Sequence, residues 1–496
     1  MVGEQFKFQT IYSTWQGIVM KKHFINGTTV TPNSEQYIDV LDPSNGQVID
    51  QIARGNAVDI NLAVQSARQS LKGEWGQKNA VERSRILMNI SNIVLRHKDE
   101  LANIEAQDTG KPIELAKKDI DALARYFEYY AGAADKVHGM TIPYLNEYSV
   151  VMTRERVGVV GHIIPWNYPA QMLGRTLAPA LAMGNASVVK PAEDACLTSL
   201  RFLELATEAG LPKGAANIVT GYGHEAGAAL TAHPLVELIT FTGSPQAGVL
   251  VQKAAAEHYT RCVLELGGKS PQIVFDDADL TKALPILVNG LVQNAGQTCS
   301  AGTRVLVQDT IYEKLKSLLA EKFNLLVAGA PDSSPDCGPI ITKAQYGRVQ
   351  QFIQECLDSN LPKIAEGSIH SAASKDGFYV APVIFGPVPR EHKLAREEVF
   401  GPVLALIPFK DEADAIELAN GTDYGLVASI WSENGARQKR VAKQLDAGQV
   451  FINCYGAGGG VELPFGGVRK SGHGREKGFI ALEEFSRVKT IVDYHG

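Results

Sequence analysis

A carboxylate and a thiol stand in two glycine-rich segments, Leu264-Glu265-Leu266-Gly267-Gly268-Lys269 and Gly296-Gln297-Thr298-Cys299-Ser300. A thiolate attacks carbonyl carbons well and leaves a thioester, and a neighbouring glutamate can activate the water that cleaves it. With an unperturbed pKa of about 8.5, only a few per cent of a cysteine is thiolate at pH 7, so its surroundings must help ionise it. Taken alone, Cys299 reads first as a small buried hydrophobe and Glu265 as an ordinary carboxylate. A third element changes that balance.

Pro165-Trp166-Asn167-Tyr168-Pro169 follows the run Val157-Gly158-Val159-Val160-Gly161-His162-Ile163-Ile164, which is apolar, β-branched and short enough for a buried strand. An asparagine at such a strand's end can project its amide into a cleft. Lys190-Pro191-Ala192-Glu193 closes a second apolar run, Ala186-Ser187-Val188-Val189. A third run, Leu238-Ile239-Thr240, leads into Phe241-Thr242-Gly243-Ser244-Pro245-Gln246-Ala247-Gly248. This last segment is GxxxxG, but Val249 stands where a P-loop has lysine, and it is not the GxGxxG of ordinary dinucleotide folds. It still offers backbone amides and a helix start to a phosphate.

These segments, with Glu398-Val399-Phe400-Gly401-Pro402, Phe451-Ile452-Asn453 and Pro464-Phe465-Gly466-Gly467 before Lys470-Ser471-Gly472, resemble the non-acylating, nicotinamide-dependent branch of the aldehyde dehydrogenase superfamily. The resemblance covers nearly the whole chain. It implies oxidation of an aldehyde to the acid with NAD, NADP being less favoured: Cys299 as nucleophile, Asn167 as oxyanion donor and Glu265 as base for thioester hydrolysis. It places Ile164, Trp166, Lys190, Glu193, Gly223, Gly243, Ser244, Leu266, Gly267, Glu398 and Phe400 at the cofactor. It places Ala122, Tyr168, Gln171, Met172, Arg175, Gln293, Thr298, Ser300, Gly456 and Gly458 along the substrate tunnel. Acylating relatives characteristically lack the glutamate, so Glu265 favours hydrolysis and also disfavours a reductase acting on an activated acid. Glu476 matches a second glutamate that many relatives pair with lysine, but Thr176 stands at the lysine place, which puts a proton relay in doubt. Arg175 lies where semialdehyde and some aromatic-aldehyde enzymes carry arginine. A polar, carboxylate-bearing or aromatic aldehyde is therefore expected; the alternatives are a broad-specificity or betaine-type enzyme and a catalytically silent scaffold of the same fold.

A chain of 496 residues exceeds what one core usually serves. Its net charge of −6, with no basic run, gives no footprint for nucleic acid. The start lacks the layout of a signal peptide, and no apolar run is long enough to span a membrane. Six cysteines without scaffold or CxxC spacing fit a reducing cytoplasm, and 11 histidines show neither HxxxH nor HExxH, so no bound metal is expected.

The elements that must position these groups fall into two series. Helical periodicity marks Ala57-to-Leu71, Ala80-to-Gln107 and Ile113-to-Ala134, and short strands alternating with helices follow at 157–164, 186–190, 216–219 and 237–241. A second set runs through 273–275, 304–307, 404–409, 426–431 and 450–452. Two open α/β, Rossmann-like domains are predicted, with 1–136 and 157–267 in a cofactor-binding unit and 268–470 in a catalytic unit. The segments 137–156 and 471–496 have strand character without a core of their own. In the resembling family such pieces form a small β element joining subunits, which implies a homodimer or homotetramer.

Overall fold

The computed structural model describes residues 20–456 and 460–496. Two sheets of the α/β kind carry it. In the first, five strands run parallel in the order Arg261–Glu265, Leu238–Thr242, Val159–Ile164, Ala186–Pro191, Ala216–Ile218. Antiparallel additions flank them: Gly472–His473 beside Arg261–Glu265, and the hairpin His23–Ile25/Thr28–Val30 beside Ala216–Ile218. Val159–Ile164 and Ala186–Pro191 are buried at every position, as expected of parallel strands covered on both faces. The chain order reverses between Val159–Ile164 and Leu238–Thr242, and the crevice outside the carboxyl ends of such strands is where open α/β sheets bind ligands.

The second sheet has the order Lys363–Glu366, Val383–Phe385, Val403–Phe409, Arg304–Gln308, Pro271–Val274, Val427–Trp431, Gln449–Ile452, and only its Lys363–Glu366 edge is antiparallel. Only Leu266–Ser270 separate the last parallel strand of the first sheet from the first strand of the second. That short passage brings carboxyl ends from one sheet against amino ends from the other.

Helices Ala80–Arg96, Ile113–Ala133 and Pro169–Ala182 pack together over the first sheet. The expected helix over 80–107 is two helices. The first, opened by a capping box between Asn79 and Glu82, closes at His97 (φ −103°, ψ 20°); Lys98–Thr109 then starts with Asp99 and Glu100 in its first turn and stops at Gly110 in the left-handed region (φ +75°). No proline or glycine marks the break at His97, so periodicity alone ran through it.

A separate three-stranded sheet joins Met140–Thr141, Tyr148–Arg156 and Ser486–Tyr494, the last two paired along their whole length. Val488, Ile491, Val492 and Tyr494 stand exposed on it. The strands Tyr37–Leu41 and Val48–Ala53 near the amino end, and Arg261–Glu265 itself, were not among the predicted ones.

Candidate active site

Glu265 is the last residue of its strand, in register with Thr242 of the neighbouring one, and the amide of Gly243 donates to its carbonyl at 3.1 Å. The carboxylate and the Gly243-Ser244 turn are therefore set by one pair of strand ends. Ser244 caps the helix Pro245–Ala256, its Oγ accepting from Ala247 N at 3.2 Å, with proline in the first turn. The helix's amino end faces a cleft of about 120 Å3 lined by Trp166, Asn167, Thr242, Gly243, Ser244, Glu265, Gly267, Cys299, Gln345, Arg348, Glu398 and Phe400.

The passage between the sheets needs its glycines. A Cβ on Gly267 would lie 2.3 Å from Glu398 Oε2, and one on Gly268 would lie 2.4 Å from the carbonyl oxygen of Cys299. The amide of Gly268 donates to Glu398 Oε1 at 2.9 Å. Burial raises the Glu398 carboxyl to about 7 despite this bond and the nearby charges of Arg348 and Lys269. Phe400 takes a left-handed backbone (φ +61°) and meets Trp166 edge to face, ring centroids 5.3 Å apart.

A second polar corner stands at the carboxyl end of the strand Ala186–Pro191. Lys190 Nζ donates to Glu193 Oε2 at 2.6 Å, and Gly223 N to Glu193 Oε1 at 3.3 Å. Burial pushes Glu193 up, but the charge and hydrogen bond of Lys190 outweigh it and hold the carboxyl below the usual range. Ile164 and Leu266 are buried.

Asn167 is fixed from several sides. Its Nδ2 donates to Gln297 O at 2.9 Å, and its own carbonyl accepts from Asn294 Nδ2 at 2.9 Å and from Lys111 Nζ at 3.0 Å. Lys111 is fully buried and also bonds Asp119 (2.5 Å) and Glu105 (3.2 Å). Burial lowers its proton affinity, but the charges of Asp119 and Glu105 more than reverse this and keep it protonated. Lys111 carries no motif in the sequence, its one local signal being Gly110-Lys111-Pro112.

For Cys299, burial raises the thiol to about 12, with the charge of Arg175 working against it and those of Glu265 and Glu398 adding to it. Cys299, Phe451 and Tyr455 all pack against a small cluster of Leu426, Val427 and Phe465, and Tyr455 Oη donates to Ser300 O. Tyr455 and Phe465 were not expected there; an aromatic residue after Phe451-Ile452-Asn453 was the available clue. Tyr168 Oη, Thr298 Oγ1 and Gln293 Nε2 form a connected polar set at 2.8 and 3.1 Å beside the thiol's loop. Gln171 instead turns to Asp119 at 2.6 Å. Gly456 is exposed, and Gly458 lies outside the described residues.

Arg175 takes no place facing open solvent or cleft. It is 3 % exposed, its Nε is paired with Glu476, its Nη2 is 3.6 Å from Glu265, and its Nη1 reaches Met172 Sδ at 3.7 Å. Thr176 turns back to Met172 O at 3.1 Å. Among the described residues no three His, Cys, Asp or Glu side chains gather into a metal-binding group, and no helix is long and apolar enough to cross a membrane.

A thiol, a carboxylate and an amide line one cleft at the switch point of an open α/β sheet, an arrangement chemically suited to a dinucleotide and a carbonyl substrate. The model of the aldehyde dehydrogenase family matches residues 29–491. A crystal structure of a Burkholderia cenocepacia protein assigned to the aldehyde dehydrogenases is 58 % identical and superposes with a TM-score of 0.95, covering 96 % of this chain and 100 % of that one. Human retinal dehydrogenase 2 is 40 % identical over 95 % of this chain and 91 % of its own. Staphylococcus aureus betaine aldehyde dehydrogenase, solved with NAD+, is 35 % identical with a TM-score of 0.93, over 96 % and 95 % of the two chains. This chain belongs to the aldehyde dehydrogenase family. It is an NAD-dependent aldehyde dehydrogenase with the fold of that family, as its sequence implies.

Proposed function

We propose that the protein oxidises a polar aldehyde to its carboxylic acid in two stages, with Cys299 as nucleophile and Glu265 as the base that hydrolyses the thioester. The observation that carries this is the convergence of Cys299, Glu265 and Asn167 on one cleft with Gly243, Ser244, Glu398 and Phe400. NAD fits the part of that cleft where Gly267 leaves room for Glu398 and the capped helix presents its amino end. Ser244 and the Gly243 turn would hold its pyrophosphate, Lys190 and Glu193 its adenosine ribose, and Glu398 its nicotinamide ribose, with Phe400 packed beside it. When bound, it supplies the hydride acceptor.

Cys299 Sγ attacks the carbonyl carbon. The developing oxyanion takes the second Nδ2 hydrogen of Asn167, whose first goes to Gln297 O, together with the backbone N–H of Cys299. The resulting thioester is opened by water, whose proton Glu265 receives. Burial raises Glu265 well above the ordinary carboxylate range, with Arg175 opposing, which suits a base rather than a spectator.

Retinal and betaine aldehyde, the aldehydes in the relatives' names, differ so widely that family membership leaves the substrate open. The preference for a carboxylate rested on Arg175, and that guanidinium is taken by Glu476 and Glu265. What supports a hydrogen-bonding aldehyde, aliphatic or aromatic, is the Tyr168–Thr298–Gln293 set. The exposed apolar face on Ser486–Tyr494 supports a homo-oligomer, and the six unpaired cysteines support a cytoplasmic setting.

The test is NADH formation. Cys299→Ala should lose both turnover and acyl-enzyme, while Glu265→Gln should give one burst of NADH and then stall. Steady turnover of Glu265→Gln equal to the parent's would sink the base assignment, and no turnover by the parent on any aldehyde would favour the silent scaffold.

A further inference from the structure

Behind Glu265 lies a charge arrangement that the two stages do not by themselves require. Arg175, on the helix Pro169–Ala182, sits between two buried carboxylates, paired through Nε with Glu476 and 3.6 Å from Glu265 through Nη2. Its guanidinium carbon is 4.2 Å from the centre of the Phe465 ring. Phe465 and Glu476 exchange backbone hydrogen bonds of 2.7 and 2.8 Å, so ring and carboxylate grip the guanidinium as one unit. On the far side Glu265 is confined by Gly466, where a Cβ would come within 2.7 Å of its Oε1. The other charged or titratable groups acting on this cluster include Arg475 and Lys477 from the loop of Glu476, Glu484, Cys299, and Tyr126 beside Arg175.

We propose that Arg175 is a positioning residue for thioester hydrolysis: shared between Glu265 and Glu476, its fixed charge opposes burial and favours the ionised, basic form of Glu265, and Glu476 sets how much of that charge Glu265 receives. A carboxylate this deeply buried would take up a proton without a counter-charge and could then accept none from water. Glu476 holds the closer contact and so draws the guanidinium away from Glu265. The two acids thus compete for one cation. Guanidinium does not deprotonate in proteins, so the proton that Glu265 takes cannot pass through Arg175 to Glu476 and must leave by the cleft. In the step itself, water oxygen bonds to the thioester carbon, one proton goes to Glu265, and the C–S bond breaks with its electron pair returning to Cys299.

This rests on Glu265 being the hydrolytic base, so the experiment reads the two stages separately. The NADH burst and the decay of the acid-trapped thioester are followed across pH in the parent, Arg175→Met, Arg175→Lys and Glu476→Gln. All should keep the amplitude of the burst, its rate falling in Arg175→Met because the same charge also acts on Cys299. The pH at which thioester decay switches on should move up by about one to three pH units in Arg175→Met, return toward the parent in Arg175→Lys, and move down in Glu476→Gln. A merely structural role would slow both stages without moving these limbs in opposite directions. Limbs that stay put, or move the same way in Arg175→Met and Glu476→Gln, overturn the proposal, as does loss of the burst in all three variants. Should Arg175→Met fail to fold, the downward shift in Glu476→Gln decides alone. Failure of the underlying reading shows differently, as persistent turnover in Cys299→Ala or normal thioester decay in Glu265→Gln.

Discussion

Gly268 lies directly against Cys299: a Cβ at position 268 would stand 2.4 Å from the carbonyl oxygen of residue 299, a backbone atom that cannot swing aside. The passage that carries Glu265 from one sheet to the other therefore also props up the loop of Cys299.

Gly268→Ala should accordingly displace that loop. Overpacking of this kind costs about 1–3 kcal/mol, and the loss should appear as a lower melting temperature together with a much smaller NADH burst. A variant with the parent's burst and thermal midpoint would show that the loop has slack.

The thiol's high proton affinity gives a pH prediction for the cofactor-free enzyme. Because burial lifts Cys299 to about 12, its thiolate fraction should climb roughly tenfold per pH unit through the neutral range and beyond. Alkylation by iodoacetamide, measured as loss of activity, should follow that slope. A rate already level at pH 7 would mean that the thiolate is formed without bound cofactor.

Asn167 is positioned by the adjacent amide of Tyr168, which donates to its Oδ1 at 3.1 Å, and by the distant Lys111, Asn294 and Gln297. Asn167→Ala should lower the burst rate by about 2.7–4 kcal/mol in barrier, a hundredfold to thousandfold, with little change in the Kd for NAD. A loss confined to NAD affinity would reassign the residue to cofactor binding.

Glu193, kept ionised by Lys190, would face the ribose hydroxyls and repel a 2′-phosphate. The parent should show a higher kcat/KM with NAD than with NADP, and Glu193→Gln should narrow the ratio. A parent that prefers NADP contradicts the placement.

For the substrate, 3-hydroxybutanal should outrank butanal by roughly 2- to 12-fold in kcat/KM, the worth of one neutral hydrogen bond. Tyr168→Phe should reduce that advantage. If butanal is the better substrate in the parent, the polar set serves only to hold Thr298 and Gln293 in place.

Much of the site was legible in the chain itself, because chemistry constrains residue type and a parallel sheet constrains where such residues sit. Apolar β-branched runs ending in Asn167, in Lys190 and Glu193, and in Gly243 and Ser244 mark strands whose carboxyl ends can meet a ligand, and only beside them do Glu265 and Cys299 in their glycine-rich settings read as reactive groups. The helix over 80–107 broke at His97 because that break serves packing and carries no local breaker. The partners of Arg175 were hidden for a stronger reason. An arginine's type says that it seeks carboxylates, but whether it finds a substrate or Glu476 depends on a backbone pairing between Phe465 and Glu476, far along the chain, that brings the second acid beneath the helix. The same holds for Lys111 under Asn167. Local sequence sets which groups can react, while the desolvated ion pairs that tune them exist only once distant segments share one low-dielectric interior.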